Sequence, residues 1–218
     1  MGTLHSVNLG ALTPNGAKRI GVTGIDKRPA TGPVEVGGPG PRGTGGSGLA
    51  GDRIADLRHH GGSEQAVYAY ALEDLEWWAA SLGRALTPGS FGENLTIAEL
   101  DVTGALLGER WRAGTALLQV TSPRIPCGTF AGWLGERRWE RRFTERGRPG
   151  AYLRVVEPGT VRADDPVTVE HRPAHDVTIG VTFRALTLES ELLPRLLDAG
   201  DDLLEELRDT ITRRTRTG

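Results

Sequence analysis

The chain has 218 residues, a formal charge of −2 with both signs mixed along it, and a single cysteine. That length accommodates one large domain, or one domain with a small appendage, and a substantial core. The near-neutral balance argues against a nucleic-acid-binding surface, one cysteine excludes internal disulfides and zinc or iron–sulfur sites built from Cys-x-x-Cys pairs, and no apolar run approaches the ~18 residues of a membrane span.

The N-terminus lacks a charged segment followed by an apolar one, so a soluble, cytoplasmic protein with no membrane or nucleic-acid partner is expected. Glycine (31) and proline (13) are abundant, which favours short strands and many turns over a helical bundle. Ser6-Val7-Asn8-Leu9 reads as a first strand and Ile20 to Ile25 as a second, with a Pro14-Asn15-Gly16 turn between them. The second strand runs into Asp26-Lys27-Arg28-Pro29, where two cations at a strand end could serve an anion or form a solvated turn. Gly37 to Gly48 holds seven glycines and two prolines. No Lys-Ser/Thr follows and no helix opens after it, so it reads as a flexible surface loop or lid rather than a phosphate cradle.

His59-His60-Gly61-Gly62 follows. Adjacent histidines point in different directions and make a poor zinc pair; the glycines suggest a positive φ or a close backbone approach. Gln65 to Tyr70 alternates as a strand. Leu72, Leu75, Trp78 and Leu82 then keep helical spacing, with Gly83 placed to end the helix and Trp77 and Trp78 expected to cover the core. Ser90-Phe91-Gly92-Glu93-Asn94-Leu95-Thr96 sets a carboxylate beside an amide on a loop entering a strand, suited to a polar ligand or to bracing a neighbouring loop.

Leu117 to Gly128 is the stretch around which the chemistry is organised. Ala116, Leu118 and Val120 alternate with Leu117, Gln119 and Thr121, the period of a strand with a buried face. Pro123 and Pro126 remove two backbone donors and end it. Cys127 therefore stands on a stiff turn three residues from Arg124, and a nearby cation favours the thiolate that binds soft metals; a small buried hydrophobe is the plainer alternative. Gly128 to Arg146 is helical in tone, with Arg137, Arg138, Arg141 and Arg142 on a basic face that is solvated or meets an acidic partner. Ala151 to Val156 and Val167 to Glu170 are strands, and Pro158-Gly159 is a turn. From about Pro173 two short helices are expected, Ser190 to Ala199 with Gly200 as its cap and Asp202 to Ile211, the latter with Asp202 and Glu205 at capping-box spacing.

Taken together, Ile25-Asp26-Lys27-Arg28-Pro29, Gly51-Asp52, His60-Gly61-Gly62 leading to Ala66-Val67-Tyr68, Phe91-Gly92-Glu93-Asn94-Leu95 and Pro123-Arg124-Ile125-Pro126-Cys127 resemble the MOSC family, the domains related to the C-terminal part of molybdenum cofactor sulfurases. The resemblance covers roughly residues 5–172, and the tail resembles the three-helix extension of the bacterial branch linked to hydroxylaminopurine resistance. It implies a mainly β fold with some α: a distorted, closed β-barrel domain over 1–172 and a small helical extension over 173–218. It also implies a pocket for molybdenum cofactor with Cys127 as the protein ligand to molybdenum and Lys27 near the cofactor phosphate. Arg28 stands beside Lys27, at a position where more distant relatives carry a small hydroxyl residue. Arg124, His60 and Asn94 would line the pocket with Glu93 behind them. The activity implied is reduction of N-hydroxylated compounds, with His60 as a proton source and a separate flavin or iron–sulfur reductase as electron donor. A persulfide-carrying sulfur module and a non-enzymatic cofactor-delivery protein use the same thiol and stand as alternatives. For the tail, contact in a homodimer and docking of the reductase are both compatible with its sequence.

Overall fold

The computed structural model describes residues 1–14 and 21–216. Its strands are β1 (Gly2–Gly10), β2 (Thr13–Pro14), β3 (Val22–Thr23), β4 (Lys27–Pro29), β5 (Val34–Val36), β6 (Val67–Ala71), β7 (Leu95–Ala98), β8 (Arg110–Ala113), β9 (Ala116–Pro123), β10 (Ala151–Glu157), β11 (Gly159–Val161) and β12 (Pro166–His171). The helices are α1 (Leu72–Leu82), α2 (Gly128–Leu134), α3 (Trp139–Arg146), α4 (Ile179–Thr187) and α5 (Glu205–Arg216), with a 3₁₀ segment over Ser190–Asp202.

Seven strands close a barrel in the order β12-β8-β9-β10-β6-β7-β1, and β1 pairs back to β12. Every pair is antiparallel except β6 with β7. A parallel pair cannot be joined by a tight turn, and the crossover carries α1. That helix ends at Gly83, whose φ of 64° is the left-handed cap expected of it. β1 bulges between Leu4 and Ser6, and its far end leaves the barrel wall to pair with β4, Gly10 opposite Lys27. A bulge bends the strand that carries it, and here the bent strand delivers Lys27 to the barrel rim.

β9 is buried along its whole length. Its apolar side chains join Leu4, Val7, Val67, Ile97, Trp111 and Leu153 in the barrel core. A second, aromatic cluster lies between α1, α2 and α3: Tyr70, Trp78, Phe91, Phe130, Trp139 and Phe143. Trp78 is 1% exposed and belongs to it, whereas Trp77 is 45% exposed and carries the Arg146 guanidinium over its ring. Leu193, Leu196, Leu203 and Ile211 of the tail pack into the barrel cluster rather than into a core of their own.

Several local expectations need correction. The second strand shrinks to Val22–Thr23 among the described residues, and the turn at Asn15-Gly16 falls outside them. Gly159 opens β11 instead of completing a turn. The residue pattern alone is one helix short in the tail: α4 precedes the other two segments, as the resemblance to a three-helix extension implies, and is capped by the Thr178 hydroxyl, which accepts from the Val181 N–H at 3.0 Å. Ser190–Asp202 is 3₁₀ with Pro194 inside and a kink at Gly200, because proline cannot donate to an α-helical ladder. Asp202 does not cap α5, which begins at Glu205; its carboxylate instead accepts from the Gln119 amide at 3.4 Å.

The glycine-rich loop is held in place. The Gly37 N–H donates to the Gly48 carbonyl, Gly62 N–H donates to Gly46, and Gly43 N–H donates to Leu57. Arg42 reaches α5 through Glu206 at 2.7 Å.

Candidate functional site

Asp52 organises the rim. Its Oδ1 accepts from Lys27 Nζ and, at 2.7 Å, from the Gly10 N–H, while Oδ2 accepts from the Asn94 amide at 2.9 Å. Asn94 is fixed on its other side by the Tyr68 N–H, which donates to its Oδ1 at 3.1 Å. One carboxylate thus ties β1, β4, β6 and the loop before β7 together. Burial pushes the Lys27 ammonium below the usual lysine range, and Asp52 pulls it back towards that range.

Glu93 is fully buried and nucleates a turn. Its oxygens accept from the N–H groups of Gly89 (2.6 Å) and Phe91 (3.0 Å) and from the Thr96 hydroxyl (3.0 Å). Burial raises its carboxyl above the ordinary range, and those donors hold it partly down. The turn touches both buried cations. A Cβ on Gly89 would meet the Lys27 carbonyl at 2.3 Å, and the Phe91 carbonyl accepts from Arg124 at 2.6 Å.

Arg124 is 6% exposed and stacks between the rings of Tyr68 (4.9 Å) and Phe130 (4.5 Å). No carboxylate among the described residues forms an ion pair with it. Burial opposes its charge, but the surrounding Tyr152, Tyr68, Cys127 and Glu93 outweigh burial and hold the guanidinium protonated. Such a cation suits an anion or a sulfur ligand brought beside it.

Lys27, His60, Asn94, Arg124 and Cys127 line one cleft together with Arg53, Gln65, Tyr68, Thr129 and Tyr152; its empty space is about 750 Å³, including the part open to solvent. Cys127 stands in extended conformation immediately before α2 and is partly exposed. His60 precedes Gly61 and Gly62, both at positive φ (78° and 79°), where a Cβ would strike the backbone of Gly46 and Arg42 respectively, each at 2.6 Å. These two glycines let the glycine-rich loop pack behind His60. The loop itself lies outside the cleft lining.

Glu93 and Arg28 lie elsewhere. Glu93 sits behind the wall as a brace, and Arg28 points outward, paired with Asp26 at 2.8 Å on a side chain 64% exposed. Sequence reasoning passes over Asp52 and Arg53 as site residues. Gly51-Asp52 is among the motifs that carry the resemblance, but only long-range pairing shows that its carboxylate is the hub.

The resemblance to MOSC domains implies a molybdenum–pterin cofactor, and the residues of this cleft fit one. Among the described residues no three His, Cys, Asp or Glu side chains gather to hold a bare metal ion, so a metal would arrive with ligands of its own and take one sulfur from Cys127. Lys27 and Arg124 supply buried positive charge. The Gln65 Oε1 and Thr129 Oγ1 atoms are buried without a hydrogen-bond partner, and an N–H-rich heterocycle would satisfy both.

The comparisons agree with this geometry. Residues 56–168 match the model of the MOSC domain. YflK of Bacillus subtilis is 37% identical over 139 residues, 64% of this chain and 59% of that one. A protein of Gibberella moniliformis named a reductase is 29% identical over 136 residues, covering 58% of this chain and 23% of the fungal one. The crystal structure of YiiM from Geobacillus stearothermophilus superposes with a TM-score of 0.78 at 26% identity, over 98% of this chain and 99% of that one. With a matching family model over more than half its length, a closed seven-stranded barrel and the cysteine turn on its rim, the chain belongs to the MOSC domain family, in the branch with a helical C-terminal extension.

Proposed function

We propose that the protein is a molybdenum-cofactor-dependent reductase of N-hydroxylated compounds, cleaving N–O so that a hydroxylamino group, two electrons and two protons give an amine and water. One observation carries the reading: a partly exposed thiol, two buried cations and two unpartnered polar atoms share a single cleft. Its family and a reductase-named relative support the reading.

The cofactor, when bound, supplies the two-electron redox chemistry. Cys127 offers Sγ as the protein ligand, and Arg124 beside it compensates the sulfur's charge. Lys27, paired with Asp52, would hold the cofactor phosphate. Asn94 positions Asp52, and Glu93 positions the turn that carries the Arg124 contact. His60 donates a proton to the departing oxygen. Electrons come from a separate flavin or iron–sulfur protein.

Protein purified from a host that makes the cofactor tests this reading. It should release molybdenum and pterin on denaturation and reduce a hydroxylamino base with a reduced viologen as donor. Metal-free protein carrying an extra sulfur on Cys127 by mass spectrometry would instead indicate a sulfur carrier.

A further inference from the structure

The turn that bears Cys127 runs straight into a surface outside the cleft. α2 begins at Gly128, directly after Cys127, and α3 folds back beside it. The Phe130 and Trp139 rings lie 5.2 Å apart, and a Cβ on Gly128 would stand 3.9 Å from Glu140 Oε1. The start of α3 is thereby held against the cysteine turn. Two large apolar side chains nearby face solvent, Ile125 at 45% and Trp133 at 37%. Trp133 Nε1 donates to the Ser90 carbonyl at 2.8 Å, which fixes its ring in place.

The chain around them is basic. From Glu136 to Arg148 six arginines stand against three glutamates. Arg141 pairs with Glu145, Arg142 with Glu136, and Arg146 and Arg148 with Asp74. Arg137 and Arg138 are exposed and form no ion pair among the described residues; Glu140 is the exposed acid beside them. Arg138 takes φ 55° and ψ 31°, a left-handed conformation that is costly for a residue with a side chain and that glycine adopts freely. Glycine would suit this backbone better. What arginine adds there is exposed positive charge.

We infer that this face, Ile125 and Trp133 flanked by Arg137 and Arg138, docks the electron donor, and that the donor is an acidic flavoprotein. The inference rests on the reductase reading and deepens it. Exposed apolar side chains beside unpaired arginines suit a transient partner of opposite charge, because rim charges steer encounter while aromatic contacts hold it. A donor seated here stands next to the Cys127 turn. The chemistry selects a flavin. Cleaving N–O consumes two electrons and two protons, and a flavin hydroquinone gives up both pairs on oxidation to the flavin. A single iron–sulfur cluster gives one electron and no proton.

The test drives cofactor-loaded protein with two donors: hydroquinone flavodoxin, an acidic flavoprotein, and reduced viologen, which is too small to need a docking face. Arg137→Ala combined with Arg138→Gly should raise the flavodoxin KM about tenfold at low ionic strength. The effect should fade near ~0.5 M salt, with viologen turnover and molybdenum content unchanged. Glycine relaxes the backbone at 138, so misfolding does not mimic the result. Glu140→Gln should act in the opposite sense and lower the flavodoxin KM about threefold, a gain that structural damage does not produce. Interferometry of flavodoxin on the same proteins should give the same order of affinities without turnover. An unchanged flavodoxin KM in the arginine variant, an equal loss with viologen, or a lower KM for an acidic iron–sulfur ferredoxin than for flavodoxin overturns the inference. So does a parent dimer that the arginine variant dissociates, which would assign the face to a second copy. No turnover with either donor, with flavodoxin still bound through Arg137 and Arg138, refutes the reductase reading and leaves the docking surface standing.

Discussion

Lys27 is buried against Asp52, the first 6% and the second 8% exposed. Neither could be buried alone at acceptable cost, because an unpaired charge in a low-dielectric site is strongly destabilising. Asp52 also accepts from Gly10 and Asn94, so it links the cation to β1 and to the loop before β7.

Asp52→Ala should therefore destabilise the fold by about 3–5 kcal/mol, read as a lower urea midpoint. It should also abolish cofactor retention, since Lys27 would lose the partner that keeps it charged. Asp52→Asn, which can still accept from Gly10, should be milder.

The buried ionisable groups set a pH dependence with a definite sign. Glu93 is raised above 4.5 in the fold, so its contribution to stability is full below 4.5 and lost as pH rises through the folded value. Lys27 is lowered from 10.5, so its contribution is full above 10.5 and is lost as pH falls through the folded value. Urea titrations from pH 4 to pH 7 should show the stability gap between the parent and Glu93→Gln narrowing as pH rises; a gap widening with pH would contradict the burial of Glu93.

Gly61→Ala tests the packing behind His60. A φ of 78° and a backbone oxygen 2.6 Å from the new Cβ leave no unstrained position. The variant should lose more than ~1 kcal/mol and lower kcat by displacing His60, measured by thermal melting and steady-state turnover.

Much of this site is legible in the sequence, and the rest is hidden for physical reasons. The alternation through Leu118 and Val120, stopped by two prolines, announces both the strand and the exposed turn bearing Cys127. Gly61 and Gly62 declare a backbone constraint that the loop packing explains. Asp52 stays hidden because its partners lie 25 and 42 residues away, and no local period records such a contact. The glycine-rich segment misleads because composition reports the freedom of the unfolded chain, whereas the fold holds it through bonds to Leu57, Gly62 and Ala66. Periodicity misses helix α4 although Thr178 is a good cap, since Gly180 and two threonines weaken its propensity; only the resemblance to a three-helix extension implies it. At Asp202 the capping-box spacing exists, but Gln119 claims the carboxylate.

His60→Gln should keep molybdenum bound while lowering kcat by about 10²–10⁴-fold, the range for a lost proton donor. Unchanged kcat in the loaded variant would remove His60 from the reaction.

Arg124→Lys should be far from conservative. A lysine cannot stack between Tyr68 and Phe130 while reaching the Phe91 carbonyl, so molybdenum occupancy and thermal stability should both fall. Retention of both would show that only the charge matters.

The most direct measurement is molybdenum per protein chain in the parent and in Cys127→Ser, both made in the same cofactor-competent host, with folding verified by circular dichroism. The parent should carry close to one molybdenum per chain and the variant next to none. Equal molybdenum in two equally folded proteins would contradict the assignment of Cys127 as the metal's ligand.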